Sequence, residues 1–146
     1  MVRRLISRLR RRGPRLQVRP SVPSLHALAK DAPALIAMNV GRAAAYSVVV
    51  AIRVRHTAFQ FDEIPELEAQ SEAPLLHQSS VGRFKLEEMT VSAHWFRIVL
   101  RSVVRDTGSV LRIPLAIRYR DGAGTERTRY QTLHCDEHLR LRVTDG

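Results

Sequence analysis

The chain has 146 residues, 45% of them apolar and 26% charged, with a formal net charge of +10 at neutral pH. That size and balance suit one globular domain with a genuine core and exclude an intrinsically disordered chain. The single cysteine, Cys135, excludes an intrachain disulfide framework, and no window reaches the ~18 consecutive apolar residues of a membrane-spanning helix.

The charge is concentrated at one end. Residues 1–20 hold Arg3, Arg4, Arg8, Arg10, Arg11, Arg12, Arg15 and Arg19 and no acid, so the remaining 126 residues carry 16 basic against 14 acidic groups. Residues 1–14 therefore read as a basic arm and residues 15–146 as a nearly neutral domain. In residues 2–12, Leu5, Ile6 and Leu9 fall on one face of a short helix that Gly13-Pro14 would stop. Arg3, Arg4, Arg8, Arg10, Arg11, Arg12 and Arg15 are the candidate polyanion contacts, for nucleic acid or an anionic membrane surface. The basic start meets no apolar run of signal-peptide length, so the compartment is unknown from the sequence and a cytoplasmic or membrane-peripheral chain is the default expectation.

Beyond the arm the texture is that of β-structure. Arg15 to Arg19 alternates Leu16 and Val18 with polar residues and predicts a first strand. Pro20, Pro23 and Pro33 punctuate a connection in which Leu25 to Ala29 makes a helical turn. Ala34 to Met38 predicts a second strand ending at the turn Asn39-Val40-Gly41. Tyr46 to Arg55, rich in β-branched residues, is the strongest strand, with Val48, Val50 and Ile52 as its buried face. Thr57 to Phe61 alternates again until Ile64-Pro65 breaks it, and Glu66 to Ser80 is acidic and polar.

Residues 84–105 carry conflicting signals. Leu86, Met89, Ala93, Phe96, Leu100 and Val103 recur at helical spacing. Thr90, Val91, Trp95, Phe96, Ile98 and Val99 have strand propensity, and composition tips the reading towards strand over Trp95–Val104. The C-terminal third is clearer. Val110 to Arg120 alternates Leu111, Ile113, Leu115, Ile117 and Tyr119 with Arg112, Arg118 and Arg120, a half-buried strand with one wet face. Asp121-Gly122-Ala123-Gly124 then turns the chain into a hairpin with Thr125 to Leu133, with Gly124 at positive φ. Leu139 to Val143 predicts a last strand.

Two of these segments resemble the bacterial and archaeal immunoglobulin-like modules grouped with the cell-adhesion-related (CARDB-like) domains and small sandwich proteins akin to them. One is Asn39-Val40-Gly41-Arg42-Ala43-Ala44-Ala45-Tyr46-Ser47-Val48-Val49-Val50, similar to their element of Asn-x-Gly, small residues and an apolar strand. The other is Ile117-Arg118-Tyr119-Arg120-Asp121-Gly122-Ala123-Gly124, similar to a tyrosine–aspartate–glycine hairpin. The resemblance implies an all-β, immunoglobulin-like β-sandwich of seven-strand type that binds or scaffolds, and it supplies no catalytic motif. The 84–105 segment has no place in a minimal sandwich of that kind.

The residues that carry chemistry are few. His134-Cys135-Asp136-Glu137-His138 is the one dense run of potential ligands: on a helix His134 and His138 share a face, on a strand His134, Asp136 and His138 do, and either arrangement could offer ligands to zinc. The spacing is not that of His-Glu-x-x-His, and an exposed turn between the last two strands accounts for the same residues. Cys135 lacks a base and an oxyanion hole placed for nucleophilic work. Asp62, Glu63, Glu66 and Glu68 cluster beside a proline as a solvated loop would. Neither a phosphate loop nor a dinucleotide fingerprint is present, and Gly122-Ala123-Gly124 sits between strands, as turn chemistry does. Tyr119 and Tyr130, flanked by Arg118, Arg120 and Arg129, would make a stacking platform only if both faced solvent, and alternation turns Tyr119 inward with Ile117.

The reading is thus a non-catalytic binding or structural module, with no cofactor and no small-molecule substrate indicated. Its partner is another protein or a second copy of itself. The alternative is a nucleic-acid- or ribosome-associated protein that works through the arginine-rich arm.

Overall fold

Alternation and β-branching set most of the strands. The computed structural model describes residues 13–27, 32–54, 57–76 and 110–146, together with 100, 102, 104, 105 and 108. Strands β1 (Leu16–Pro20), β2 (Leu35–Asn39), β3 (Ala45–Val54), β4 (Thr57–Gln60), β5 (Ile64–Leu67), β6 (Ser71–Pro74), β7 (Leu111–Arg120), β8 (Glu126–Cys135) and β9 (Leu141–Asp145) form two antiparallel sheets. The smaller sheet has the order β1-β2-β6. The larger runs β4-β3-β7-β8-β9, with β5 also pairing β3. The chain is mainly β, with a 3-10 turn at Leu25–Ala27 where the helical turn is expected.

One apolar core lies between the sheets. Leu16, Val18, Leu35 and Ala37 enter it from the smaller sheet. Val48, Val50, Ile52, Ile113, Leu115, Ile117 and Leu133 enter it from the larger. Each strand contributes every second residue, because side chains alternate across the pleat. Val48, Val50 and Ile52 are the buried face of β3, as alternation predicts.

Two stretches depart from expectation. Glu66 to Ser80 reads as acidic and polar with no strand assigned, yet β5 covers Ile64–Leu67 and β6 covers Ser71–Pro74. Both are four-residue edge strands whose pairing comes from distant partners: Leu67 opposite Ala45, and Pro74 opposite Ile36. An edge tolerates Pro65 and Pro74, which lack an N–H for an inner ladder. The strand reading over Trp95–Val104 is corrected where residues are described: Leu100, Ser102, Val104 and Arg105 are helical. Leu100 and Val104, one turn apart, are both buried, and Gly108 N–H closes on the Val104 carbonyl at 2.9 Å. Apolar spacing and a helix-ending glycine outweigh β-propensity here.

Polar side chains hold the corners. Asn39 is 1% exposed and its amide is saturated. Its Oδ1 accepts from Arg15 N–H (3.1 Å) and Gly41 N–H (3.0 Å), and its Nδ2 donates to the carbonyls of Ala43 (2.8 Å) and Leu67 (3.0 Å). A Cβ on Gly41 would strike the backbone of Gly13 to Arg15, so the turn packs against the segment leading into β1. Gln131, also buried, accepts from Val18 N–H at 2.8 Å and donates to Asp145 at 3.1 Å, tying β1 to β8 and β9.

The two turns that flank β8 share one design. Asp121 Oδ1 accepts from the N–H groups of Ala123 and Thr125, and Gly124 N–H donates to the Asp121 carbonyl. Asp136 repeats this with His138 and Arg140, and Leu139 N–H donates to its carbonyl. The fourth residue is left-handed in both, Gly124 at φ 79° and Leu139 at φ 59°. Nothing lies within 4 Å of a Cβ built on Gly124, so Gly124→Val is opposed by backbone strain alone, about 1–3 kcal/mol. Its thermal midpoint should fall by several degrees, and Gly124→Asn, which tolerates that φ better, by less. Equal midpoints for the valine variant and the parent would contradict the turn.

Candidate functional site

The side of the larger sheet that faces away from the core collects what the sequence scatters. In β7 the inward residues are Ile113, Leu115, Ile117 and Tyr119, which turns Arg112, Arg118 and Arg120 out. In β8 the inward residues are Gln131, Leu133 and Cys135, which turns Thr128, Tyr130, Thr132 and His134 out. Arg142 and Thr144 of β9 join them, and so do Tyr46, Val49, Ala51 and Arg53 of β3. Register aligns these residues in rows: Val49–Arg118–Thr128, Ala51–Ala116–Tyr130, Pro114–Thr132–Thr144 and Arg112–His134–Arg142. Arg53, the residue after the inward-facing Ile52 of the Ile52–Leu115 pair, lies on this outer face.

The charge on this face is one-sided. Arg53, Arg112, Arg118, Arg120 and Arg142 are exposed, and among the described residues none of the five forms an ion pair. Elsewhere Arg19 pairs with Glu72, Arg127 with Asp121, Arg129 with Asp145 and Arg140 with Asp136. Glu126, opposite Arg120, and Glu66, opposite Tyr46, are confined to one end of the face. His134 feels the field: desolvation first, then the Arg142 and Arg112 guanidiniums, hold its imidazole below the usual histidine range. Its Nε2 lies 2.8 Å from Thr144 Oγ1.

Tyr130 stands in the middle, 67% exposed. Its neighbours across the strands are Ala116 on one side and, through the Gly146 N–H that donates to its carbonyl, a residue without a side chain on the other. Tyr119 is buried, as alternation predicts. A stacking platform made of both tyrosines is therefore absent. They lie on opposite faces, and Tyr130 alone shares the face of Arg112 and Arg118. The signal was available in the strand after the turn: Leu133 inward sets Tyr130 outward.

The other candidate residues fall elsewhere. Arg15 is exposed at the entry to β1, while Arg3, Arg4, Arg8, Arg10, Arg11 and Arg12 lie outside the described residues. His134 lies on β8, whereas Asp136 and His138 belong to the β8–β9 turn. Asp136 Oδ1 accepts from both turn N–H groups, chiefly that of Arg140, which hold its carboxyl below the ordinary aspartate range, and Oδ2 lies 3.8 Å from the Arg140 Nε. His138 is exposed beside Glu137, 3.6 Å away. Among the described residues no group of three or more histidines, cysteines or acids is arranged to hold a metal ion. Cys135 is fully buried, and burial pushes its thiol up to about 11, far from nucleophilic range.

An open cleft of about 490 Å³ lies at the end of the sheets, lined by His26, Val104, Arg105, Gly108, Glu137 and Leu139. Its imidazole, guanidinium and carboxylate make no hydrogen bond with one another among the described residues. Among the described residues no helix is long and apolar enough to cross a membrane. Comparison with protein-family models, curated proteins and solved structures finds no match for the chain.

Proposed function

We propose that the chain is a non-catalytic β-sandwich module of immunoglobulin-like topology that binds a polyanion through the outer face of its larger sheet. The topological part draws support from the strand order. Strands one, two and six make one sheet while three, seven and eight are central to the other, so the chain crosses between sheets as Greek-key sandwiches do; β9 is an added edge. The functional part rests on one observation, the five arginines on one face with no carboxylate partner among the described residues. An uncompensated array of like charges destabilises the free protein slightly and is relieved when phosphates or sulfates neutralise it. Arg112, Arg118 and Arg142 hold the polyanion, and Thr128, Thr132 and Thr144 offer hydroxyls beside them. The arginines of residues 1–14 add charge to the same protein.

The test is a salt titration of the full chain on heparin and on mixed-sequence oligonucleotides. Replacing Arg112, Arg118 and Arg142 together by threonine keeps β-propensity and removes charge. This triple variant should bind at least tenfold more weakly near physiological salt. The slope of log K against log salt should shrink by about 2–3, as expected when three phosphate contacts disappear. An unchanged affinity and slope would shift the function away from this face and onto the arm.

A further inference from the structure

We infer that the polyanion on this face is a single-stranded nucleic acid, with one base stacked on Tyr130. The inference rests on the polyanion reading and adds to it a requirement for bases. Charge alone accommodates any phosphate or sulfate polymer, but the centre of the face is not built for charge. Tyr130 is 67% exposed, and the positions in its cross-strand row are small: Ala116 directly across β7, Ala51 beyond it on β3, and Gly146 on the β9 side. These residues leave open floor on both sides of the ring. An exposed aromatic side chain in the middle of a sheet gains nothing from cross-strand packing against alanine and glycine. It offers a bare π-face at the height where a base would lie.

The arginines stand at distances that suit a strand lying along the sheet. Arg118 is diagonal to Tyr130 across the β7–β8 ladder, about 7–8 Å away at the backbone. The row Arg112–His134–Arg142 lies four residues along β8 from Tyr130, roughly 14 Å at strand rise. Phosphates flanking a stacked base are therefore met on both sides by guanidiniums. Thr128 and Thr132, two residues either side of Tyr130, present hydroxyls to sugar or base edges. A duplex does not fit this arrangement, because its bases are already stacked on each other and the ring would meet only its backbone. Sequence preference should be slight, since every base has a π-face and no side chain here is positioned as a bidentate reader.

The experiment uses the full chain, fluorescence anisotropy, and two labelled oligomers with the same number of phosphates: oligothymidylate and its fully abasic counterpart. The parent should bind oligothymidylate more tightly than the abasic oligomer. Tyr130→Ala should weaken oligothymidylate binding roughly tenfold to a hundredfold, leave the abasic oligomer unchanged, and lower the melting temperature by no more than a few degrees, because the ring is exposed and only β-propensity is lost. Tyr130→Phe should retain parental affinity, which separates stacking from the hydroxyl. Equal binding of both oligomers with no effect of Tyr130→Ala would overturn the single-strand assignment while leaving the polyanion reading intact. So would a duplex bound as tightly as the single strand, or anionic vesicles bound in preference to either oligomer. No salt-dependent binding of any of these probes would overturn both.

Discussion

Val50→Asp is expected to yield no folded protein. Val50 is 1% exposed at the midpoint of β3, paired with the fully buried Ile117 of β7, and its own carbonyl accepts the Phe61 N–H at 2.9 Å. A carboxyl group there points between the sheets, among Val48, Ile52, Leu115 and Ile117, with no donor to meet it. Neutralised by protonation, it still costs several kcal/mol for a polar group without a partner, in addition to about 2 kcal/mol of lost apolar burial. That sum is comparable with the whole stability of an ordinary domain, about 5–15 kcal/mol. Val49→Asp is the control: the same chemistry one residue away turns outward opposite Arg118 and should cost no more than about 1 kcal/mol of β-propensity. Far-UV circular dichroism and soluble yield decide the matter. A cooperatively melting Val50→Asp protein would show that β3 does not present this face to the core.

Why the same alternation exposes one half of the architecture and hides the other is seen in particular residues. β3, β7 and β8 are ten residues each, long enough for the period of two to declare itself, and their inward residues are the core. β5 and β6 have four residues each and contain Pro65 and Pro74. No local preference makes them strands; the ladders of Ala45 to Val48 and of Ile36 to Asn39 do. Sequence windows do not contain those partners. The helical residues Leu100, Ser102, Val104 and Arg105 are signalled by spacing and obscured by composition, because propensity is a weak prior that two buried apolar positions and a terminating glycine override.

The outer face of the larger sheet was half legible. Each arginine of β7 reads as outward from its own strand, but the rows that bring Arg142 beside His134 and Arg112 depend on the β8–β9 register, which the Asp136 turn sets. That turn is itself disguised. Asp121-Gly122-Ala123-Gly124 announces its left-handed residue with glycine, whereas Asp136-Glu137-His138-Leu139 puts a leucine at φ 59° in the equivalent place. Leu139 is 6% exposed, and its burial offsets the ~1 kcal/mol strain of a left-handed L-residue. A residue that looks like a metal ligand, Asp136, is thereby a turn-former. Its two histidine neighbours belong to different surfaces.

Asn39→Leu, close in size and apolar, should remove about 4 kcal/mol of stability, a fall of roughly 12 °C in melting temperature for a domain of this length. Among the described residues the amide is the sole side-chain partner of four backbone groups, Arg15 N–H, Gly41 N–H, Ala43 C=O and Leu67 C=O, and each buried group left unpaired costs about 1–3 kcal/mol, less where water reaches it. These groups belong to the segments entering β1, leaving β2, entering β3 and ending β5, so one side chain joins the smaller sheet to the larger. Asn39→Asp separates the contributions. It retains the two acceptor bonds and loses both donors, placing a carboxylate against the carbonyls of Ala43 and Leu67. Burial and those carbonyl oxygens raise the introduced carboxyl above its unfolded value, so the folded state binds the extra proton more tightly. Its stability deficit relative to the parent should therefore narrow as pH falls below that raised value, where the protonated group regains one donor, and widen to its full extent at neutral pH. The deficit of Asn39→Leu, which has no titrating group, should stay constant over the same range. Denaturant melts of the three proteins at acid and neutral pH make the comparison, and parallel pH profiles for the two variants would mean that size, rather than hydrogen-bond donation, is what the corner requires.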